Sequence, residues 1–398
     1  MATVPSLTSR TQAERWAEVR DEAALWGDLR PELLEAVRTI LESTMEDELA
    51  AELVASRYQR TPWRTDLRNG AYHRALVTEL GAITDLRVPR RRLVPCRPSF
   101  LARAARRTTT VDLVLRQAFL RGLSTRETAA LAETLTGVSL SAAAISRLAR
   151  KLDEQVAAFH RRPITLAAPY LLVDGLWVSV RSSTHAKRRV ILAAYGIDGH
   201  GRRQLLDYRQ AAAESSAEWS RLLTSLTARG LDPERVRLVT ADGADGIAAA
   251  VAEVFPAALL QRCWTHRIRN LLEAIPLAER RACLRGLRAI YRARTRRAAV
   301  AAYWRWARTW RARHPGLVRR FEGDLDDLLA VFSLPEPVRR QLRSTNLIER
   351  AFRELRRRLR PIGALADRRS ADRILYGQVL RLNELLARRP LASFTQET

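Results

Sequence analysis

An α/β fold built on a mixed sheet is predicted for the second half of this chain, behind a mainly helical first half. Three observations predict it. Two buried-strand runs each carry one aspartate, three strand patterns precede an alternation of helix and strand, and a long arginine-dense helical stretch precedes the last helices. The aspartates organise the reading. Asp174 interrupts the apolar run Tyr170-Leu-Leu-Val-Asp-Gly-Leu-Trp-Val-Ser-Val180, where an uncompensated carboxylate costs several kcal/mol. Asp242 ends a second run, Val236-Arg-Leu-Val-Thr-Ala-Asp242, and Gly243 follows at once. Two carboxylates placed alike on two buried strands suggest a shared cation.

The elements around them follow in order. Strand 170–180 leads to an apolar run at 190–197, a turn at Asp198-Gly199 and a third run near 204–208. A helix over 216–229 carries Trp219, Leu222, Leu223 and Leu226 at helical spacing and stops at Gly230. Strand 236–241, a helix near 245–254, a short strand near 259–261 and a helix from Trp264 complete the alternation. This order resembles that of an RNase H-like fold. In that fold the first and fourth strands lie side by side, so the resemblance implies that Asp174 and Asp242 meet.

Charge is the strongest global feature, with 69 Lys+Arg against 43 Asp+Glu and a formal net charge of +26. Lys151 and Lys187 are the only lysines. Codon bias explains arginine over lysine but not base over acid, so a polyanionic partner, nucleic acid first, is expected. Hydrophobic content of 47% and charged content of 28% fit a soluble globular protein of two or three domains. No run reaches the apolar length of a membrane span, and the N-terminus lacks a signal-peptide pattern. Scattered Cys96, Cys263 and Cys283 make no disulfide framework, so no membrane association and a cytoplasmic location are expected.

Residues 1–60 read as helices, with Leu33, Leu34, Val37, Ile40 and Leu41 on one stripe. Residues 61–105 read as a small β module or linker of short strands, with a basic, proline-bounded exit at Leu86–Pro95. Residues 106–162 turn helical again. A first helix carries Val111 to Phe119 and closes at Gly122, and Ser124-Thr-Arg-Glu127 opens a second as a capping box. A third runs from Ser141 through Ile145, Leu148 and Leu152. This is a helix-turn-helix pattern that turns Ser146, Arg147, Arg150 and Lys151 toward DNA, with three-helix packing without DNA as the alternative.

The core begins at 163–275. Cys263 and His266 have metal-ligand spacing, but one Cys-x-x-His supplies two ligands where structural zinc takes four. His266 is left to a hydrogen bond in the site region or a polar niche in the core. Residues 276–342 read as a helical insertion with Tyr303, Trp304, Trp306 and Trp310, most of them expected in its core. Residues 343–398 supply the last helices. There Asn346 can cap a helix with Glu349 at the capping-box position. Residues 349, 353, 356 and 360 also share one helical face, which sets the Glu349 carboxylate beside Arg353, Arg356 and Arg360. A carboxylate for a cation beside guanidinium groups for phosphate suits a nuclease-type site.

With these residues in view, the chain resembles the mutator-type insertion-sequence transposases of bacteria, of the DDE class. The resemblance rests on Asp174, on Ala241-Asp242-Gly with Gln261-Arg-Cys-x-x-His-x-x-Arg-Asn270, and on Thr345-Asn-x-x-Glu-Arg-x-x-Arg-Glu-x-Arg-Arg-Arg358. Tyr58-x-Arg-Thr61, Arg68-Asn-Gly70, Leu86-Arg-Val-Pro-Arg90 and Gly122-Leu-Ser-Thr-Arg126 match upstream. Gly243-Ala-Asp245 departs from it, since the family often has a His shortly after the aspartate. The resemblance implies that Asp174, Asp242 and Glu349 hold two Mg²⁺ ions, with Mn²⁺ as a substitute, for DNA cleavage and strand transfer. Glu354 is the rival third ligand. Terminal inverted repeats and target DNA are the implied partners, with a homodimer or higher oligomer in the active complex. A DNA-binding regulator descended from such an enzyme is the alternative function.

Overall fold

The computed structural model describes residues 22–101, 105–121, 123–181, 186–359, 365, 367–391 and 394. The chain divides into two compact units, one up to Lys151 without residues 120–122, the other made of those residues and Leu152 onward.

In the first unit a long helix, α1 (Glu22–Leu53), covers a hairpin of β1 (Arg68–Thr78) and β2 (Gly81–Arg91). Met45 on the helix joins Leu76, Ile83, Leu86 and Val88 of the hairpin in one apolar cluster. The hairpin replaces the expected short strands, and the expected proline-bounded exit is part of it, because Pro89 pairs with Ala71 inside β2. Proline survives there because a two-stranded sheet consists of edges, where a missing N–H breaks no inner ladder.

Helices α2 (Thr109–Leu120), α3 (Thr125–Thr136) and α4 (Ala142–Arg150) follow. They pack through Val111, Leu115, Ala132, Ile145 and Leu148. The Ser124–Glu127 capping box forms as expected, and Gly137 ends α3 in the left-handed region at φ 67°. The third helix stops at Arg150 instead of running through Leu152, and a separate helix α5 (Asp153–Arg161) belongs to the second unit.

The second unit is a mixed α/β structure. Strands β3 (Tyr170–Arg181), β4 (Ala186–Ile197) and β5 (Arg203–Ala211) form an antiparallel meander. Helix α6 (Ser216–Thr227) leads to β6 (Leu238–Ala241), and α7 (Asp245–Val254) leads to β7 (Leu259–Arg262). The sheet order is β5-β4-β3-β6-β7, with β6 parallel to both β3 and β7, so the first and fourth strands are neighbours. Alternation along the strands sorts the faces. Leu171, Val173, Val239 and Ala241 point into the cluster with Trp219, Leu222, Leu223, Ile247 and Val251 of α6 and α7. Each fully buried leucine or valine of this kind contributes about 1.5–3 kcal/mol of hydrophobic stabilisation.

Beyond β7 come α8 (Trp264–Glu273), α9 (Leu277–Tyr291), α10 (Arg296–Trp310), α11 (Pro315–Gly323), α12 (Leu325–Leu329) and α13 (Glu336–Leu342). They build a core of their own from Trp264, Cys283, Leu287, Tyr303, Trp306, Trp310 and Phe321. Trp304 is 48% exposed, so one of the four clustered aromatics faces solvent. Helices α14 (Asn346–Leu359) and α15 (Arg368–Ala387) return to the sheet, α14 against β3 and α15 against β5. Among the described residues no helix is long and apolar enough to cross a membrane.

Candidate active site

Register brings the two aspartates together. Tyr170, Leu171 and Leu172 pair in parallel with Leu238, Val239 and Thr240. Continued by two residues, this register sets Asp174 level with Asp242 on the face away from α6 and α7. Asp174 is buried and its Oδ1 accepts the Gly175 N–H at 2.9 Å, while Asp242, half-buried at the strand end, accepts the Ala244 N–H at 3.1 Å. Gly243 turns the chain there with φ 87°, and the Arg262 side chain crosses so closely that a Cβ on Gly243 would stand 2.5 Å from its Nε. Both the left-handed backbone and the close approach require glycine.

Glu349 reaches this place through a row of contacts between distant segments. Thr240 Oγ1 donates to the Leu342 carbonyl at 2.8 Å, and the Trp264 N–H donates to the Arg343 carbonyl at 3.1 Å. Next, Thr345 donates to the buried Sγ of Cys263 from both its N–H, at 3.3 Å, and its hydroxyl, at 3.2 Å. Segment 342–345 is thereby fixed to the ends of β6 and β7, and α14 starts one residue later. The Thr345 hydroxyl also lies 2.9 Å from Glu349 Oε1, and His266 Nε2 lies 3.7 Å from the same oxygen. Asn346 makes no capping box with Glu349; its Oδ1 accepts from Thr265 Oγ1 at 3.2 Å.

The electrostatics record how close these groups are. Burial pushes the Asp174 carboxyl up to about 7; His266 and the Gly175 N–H oppose the rise, while Glu349 and Asp242 add to it. A hydrogen bond with Cys263 raises His266 to about 9 against the effect of burial, and Asp174 and Glu349 add to the rise. Burial alone would raise the Cys263 thiol, but hydrogen bonds from His266 and Thr345 outweigh it and bring the thiol below its ordinary value. His266 thus hydrogen-bonds where it lies, its Nδ1 3.4 Å from the Thr345 hydroxyl and its Nε2 3.7 Å from Glu349 Oε1, and the nearby carboxylates favour its charged form. Among the described residues one group of three potential metal donors has its ligand atoms within 4.8 Å of one another, Cys263, His266 and Glu349; Asp174, Asp242 and Glu349 do not come that close as a set. The Cys263 sulfur already accepts from Thr345 twice and bonds with His266, which leaves it a structural junction rather than a free ligand.

Glu354, the rival to Glu349, is exposed and pairs with Arg357 at 3.0 Å. Arg353 and Arg356 lie exposed on α14, and Arg360 falls outside the described residues. In the first unit Arg147, Arg150 and Lys151 are exposed, Lys151 lying 3.6 Å from Asp112. Arg147 lines a cleft with Arg74, Arg106, Arg107 and Ser141, a basic neighbourhood that no local motif announces. Sequence reasoning also missed Glu214, between β5 and α6, whose carboxylate lies against Gly175. Burial first, then Asp242, raises its pKa, while the Trp177 indole and His266 oppose the rise. The one available signal was a glycine in mid-strand beside the aspartate.

Residues 8–385 match the family model described as Transposase, Mutator family. The chain is 34% identical over 352 residues to the transposase for insertion sequence element ISRM5 of Rhizobium meliloti (strain 1021), covering 88% of each chain. It is also 34% identical over 353 residues to that for IS406 of Burkholderia multivorans, covering 88% of this chain and 90% of the relative. Against that for IS1081 of Mycobacterium tuberculosis the identity is 34% over 354 residues, with 88% and 84% covered.

Proposed function

Because this chain belongs to the Mutator family of transposases, we propose that it cuts DNA at the ends of an insertion sequence and joins them to target DNA at Asp174, Asp242 and Glu349. In this reading the second unit is an RNase H-like catalytic core of the DDE class, with α9–α13 as its helical insertion. The sheet order, in which β3 with Asp174 lies beside β6 with Asp242 just past its end, is the observation that supports it best.

A divalent ion fits these residues. The charges of Asp242 and Glu349 both act on Asp174, and in a chain rich in arginine the only ion pair of these three carboxylates among the described residues is Glu349 with His266. Oxygen donors of this kind suit Mg²⁺, with Mn²⁺ as a substitute, and two ions are the expected complement. Bound there, the metal supplies Lewis acidity and a more acidic water. Asp174 is set by β3, Asp242 by the end of β6 and its bond from the Ala244 N–H, and Glu349 is oriented by Thr345 and His266. Arg353 and Arg356, on the same helix as Glu349, are suited to hold phosphate oxygens of the DNA strand. Cleavage adds water across a phosphodiester and frees a 3′-hydroxyl. Joining lets that hydroxyl attack a target phosphodiester and displaces another 3′-hydroxyl. Two element ends must be handled together, so the working form contains at least two protomers.

The test is cleavage of a duplex ending in the element's inverted repeat, with Mg²⁺ present. Asp174→Asn and Asp242→Asn should each abolish nicking and joining while DNA binding persists. Wild-type cleavage by either variant would sink the reading. The presence of all three carboxylates speaks against a purely DNA-binding regulator.

A further inference from the structure

A fourth carboxylate stands at this end of the sheet. Glu214 lies in the turn between β5 and α6, and a Cβ built on Gly175 would stand 2.7 Å from its Oε1 and 2.8 Å from its Cδ. Gly175 has φ outside the left-handed region, so its backbone does not call for glycine. A glycine in mid-strand costs ~0.5–1 kcal/mol relative to alanine. What the missing side chain provides is room for the Glu214 carboxylate against the β3 backbone, one residue along from Asp174.

The turn that carries Glu214 is itself fixed. The Ser215 hydroxyl caps α6 by accepting the Glu218 N–H, and Gly246 lets α7 approach until its Cβ would stand 3.0 Å from the Ser216 N. The Trp177 indole, two residues beyond Gly175, donates a hydrogen bond to the Glu214 carboxylate, which feels the charge of Asp242. Among the described residues no arginine or lysine pairs with Glu214, whereas nearby Glu218 is bridged by both Arg209 and Arg221. A half-buried carboxylate that feels the charge of Asp242, with no guanidinium group paired to it, is placed for a different cation.

We propose that Glu214 is a fourth metal-binding carboxylate of this site, admitted by Gly175 and oriented by Trp177. This rests on the metal-dependent reading above.

Titration of the metal-free full-length protein with Mn²⁺ alone, followed by calorimetry, tests it without reference to catalysis. Glu214→Gln preserves size and an acceptor for the indole but removes the charge. It should weaken Mn²⁺ binding about 10-fold or more. Its melting temperature in EDTA should be no lower than wild type, because a repulsion with Asp242 is lost. Gly175→Ala, which crowds Glu214 out, should weaken binding in the same way. If Glu214→Gln binds Mn²⁺ like wild type while Asp174→Asn and Asp242→Asn lose it, the Glu214 proposal is overturned and the three-carboxylate site stands. The Glu214 proposal fails equally if Glu214→Gln only lowers the melting temperature in EDTA and leaves affinity unchanged. Equal Mn²⁺ binding by wild type and every variant would overturn the site reading as well.

Discussion

His266 Nε2 stands 3.7 Å from Glu349 Oε1, and the Thr345 hydroxyl bonds to that same oxygen at 2.9 Å. Glu349 is therefore held by two groups that are themselves anchored to Cys263. Glu354, one turn on, faces solvent with Arg357. Glu349→Gln should lower DNA cleavage by ~10²-fold or more, as expected when a metal-holding carboxylate is lost. Glu354→Gln should stay within a few-fold of wild type. Measuring both rates on one inverted-repeat duplex separates the two, and the reverse ranking would move the third carboxylate to Glu354.

Cys263 is fully buried and accepts from Thr345 through both N–H and hydroxyl. Cys263→Ala leaves the buried Thr345 N–H without a partner, at a cost of about 1–3 kcal/mol, while the Thr345 hydroxyl keeps Glu349 Oε1 as an acceptor. Cys263→Ser restores an acceptor and should recover part of the loss. Thermal melting of the metal-free protein gives the ranking wild type, Ser, Ala. Because Thr345 also orients Glu349, the alanine variant should lose cleavage beyond what its remaining folded fraction explains. A folded Cys263→Ala protein with full activity would show that the junction does not position Glu349.

Arg147 is exposed on α4 and shares a cleft with Arg74, Arg106 and Arg107. If this cleft holds phosphate, Arg147→Ala weakens binding to specific and random duplexes alike. It should also reduce the slope of log affinity against log salt by about 1. Arg150→Ala should behave similarly. Binding measured at several salt concentrations separates this from base reading, which would show as loss on the inverted repeat alone.

What was legible in the sequence follows from how loudly each residue breaks its local pattern. Asp174 and Asp242 stood out because a carboxylate is costly in a buried run, and the structure sets their strands side by side. Glu214 was invisible because Ala211-Ala-Ala-Glu-Ser-Ser216 reads as an ordinary polar turn, where a glutamate is free to be solvated. The Cys263–Thr345 junction was equally hidden, since no local pattern connects segments so far apart along the chain. The first unit's hairpin is longer than the short strands the sequence suggests, because the proline expected to bound their exit, Pro89, sits inside β2, where an edge tolerates its missing N–H. Leu152 continued the apolar spacing of α4 although the chain turns at Lys151, so periodicity merged two helices.

Asp66 provides a pH test of the first unit. Its carboxylate accepts the N–H groups of Leu67 at 2.6 Å, of Leu93 at 3.1 Å and of Val94 at 3.1 Å, tying the exit of β2 to the entry of β1. Burial acts to raise its pKa, but these backbone donors, with Arg91, outweigh it and hold the carboxyl below its ordinary 3.8. A carboxyl lowered in the folded protein takes up its proton more readily in the unfolded chain. Its stabilisation is therefore complete above the unfolded value and is lost as pH falls through the folded one. Asp66→Asn should lower the urea midpoint of the full-length protein at pH 7. The gap between wild type and variant should hold down to about pH 5 and close below about pH 4. A gap of constant size from pH 7 to pH 3 would mean that the charge of Asp66 contributes nothing and that only the shape of the side chain matters.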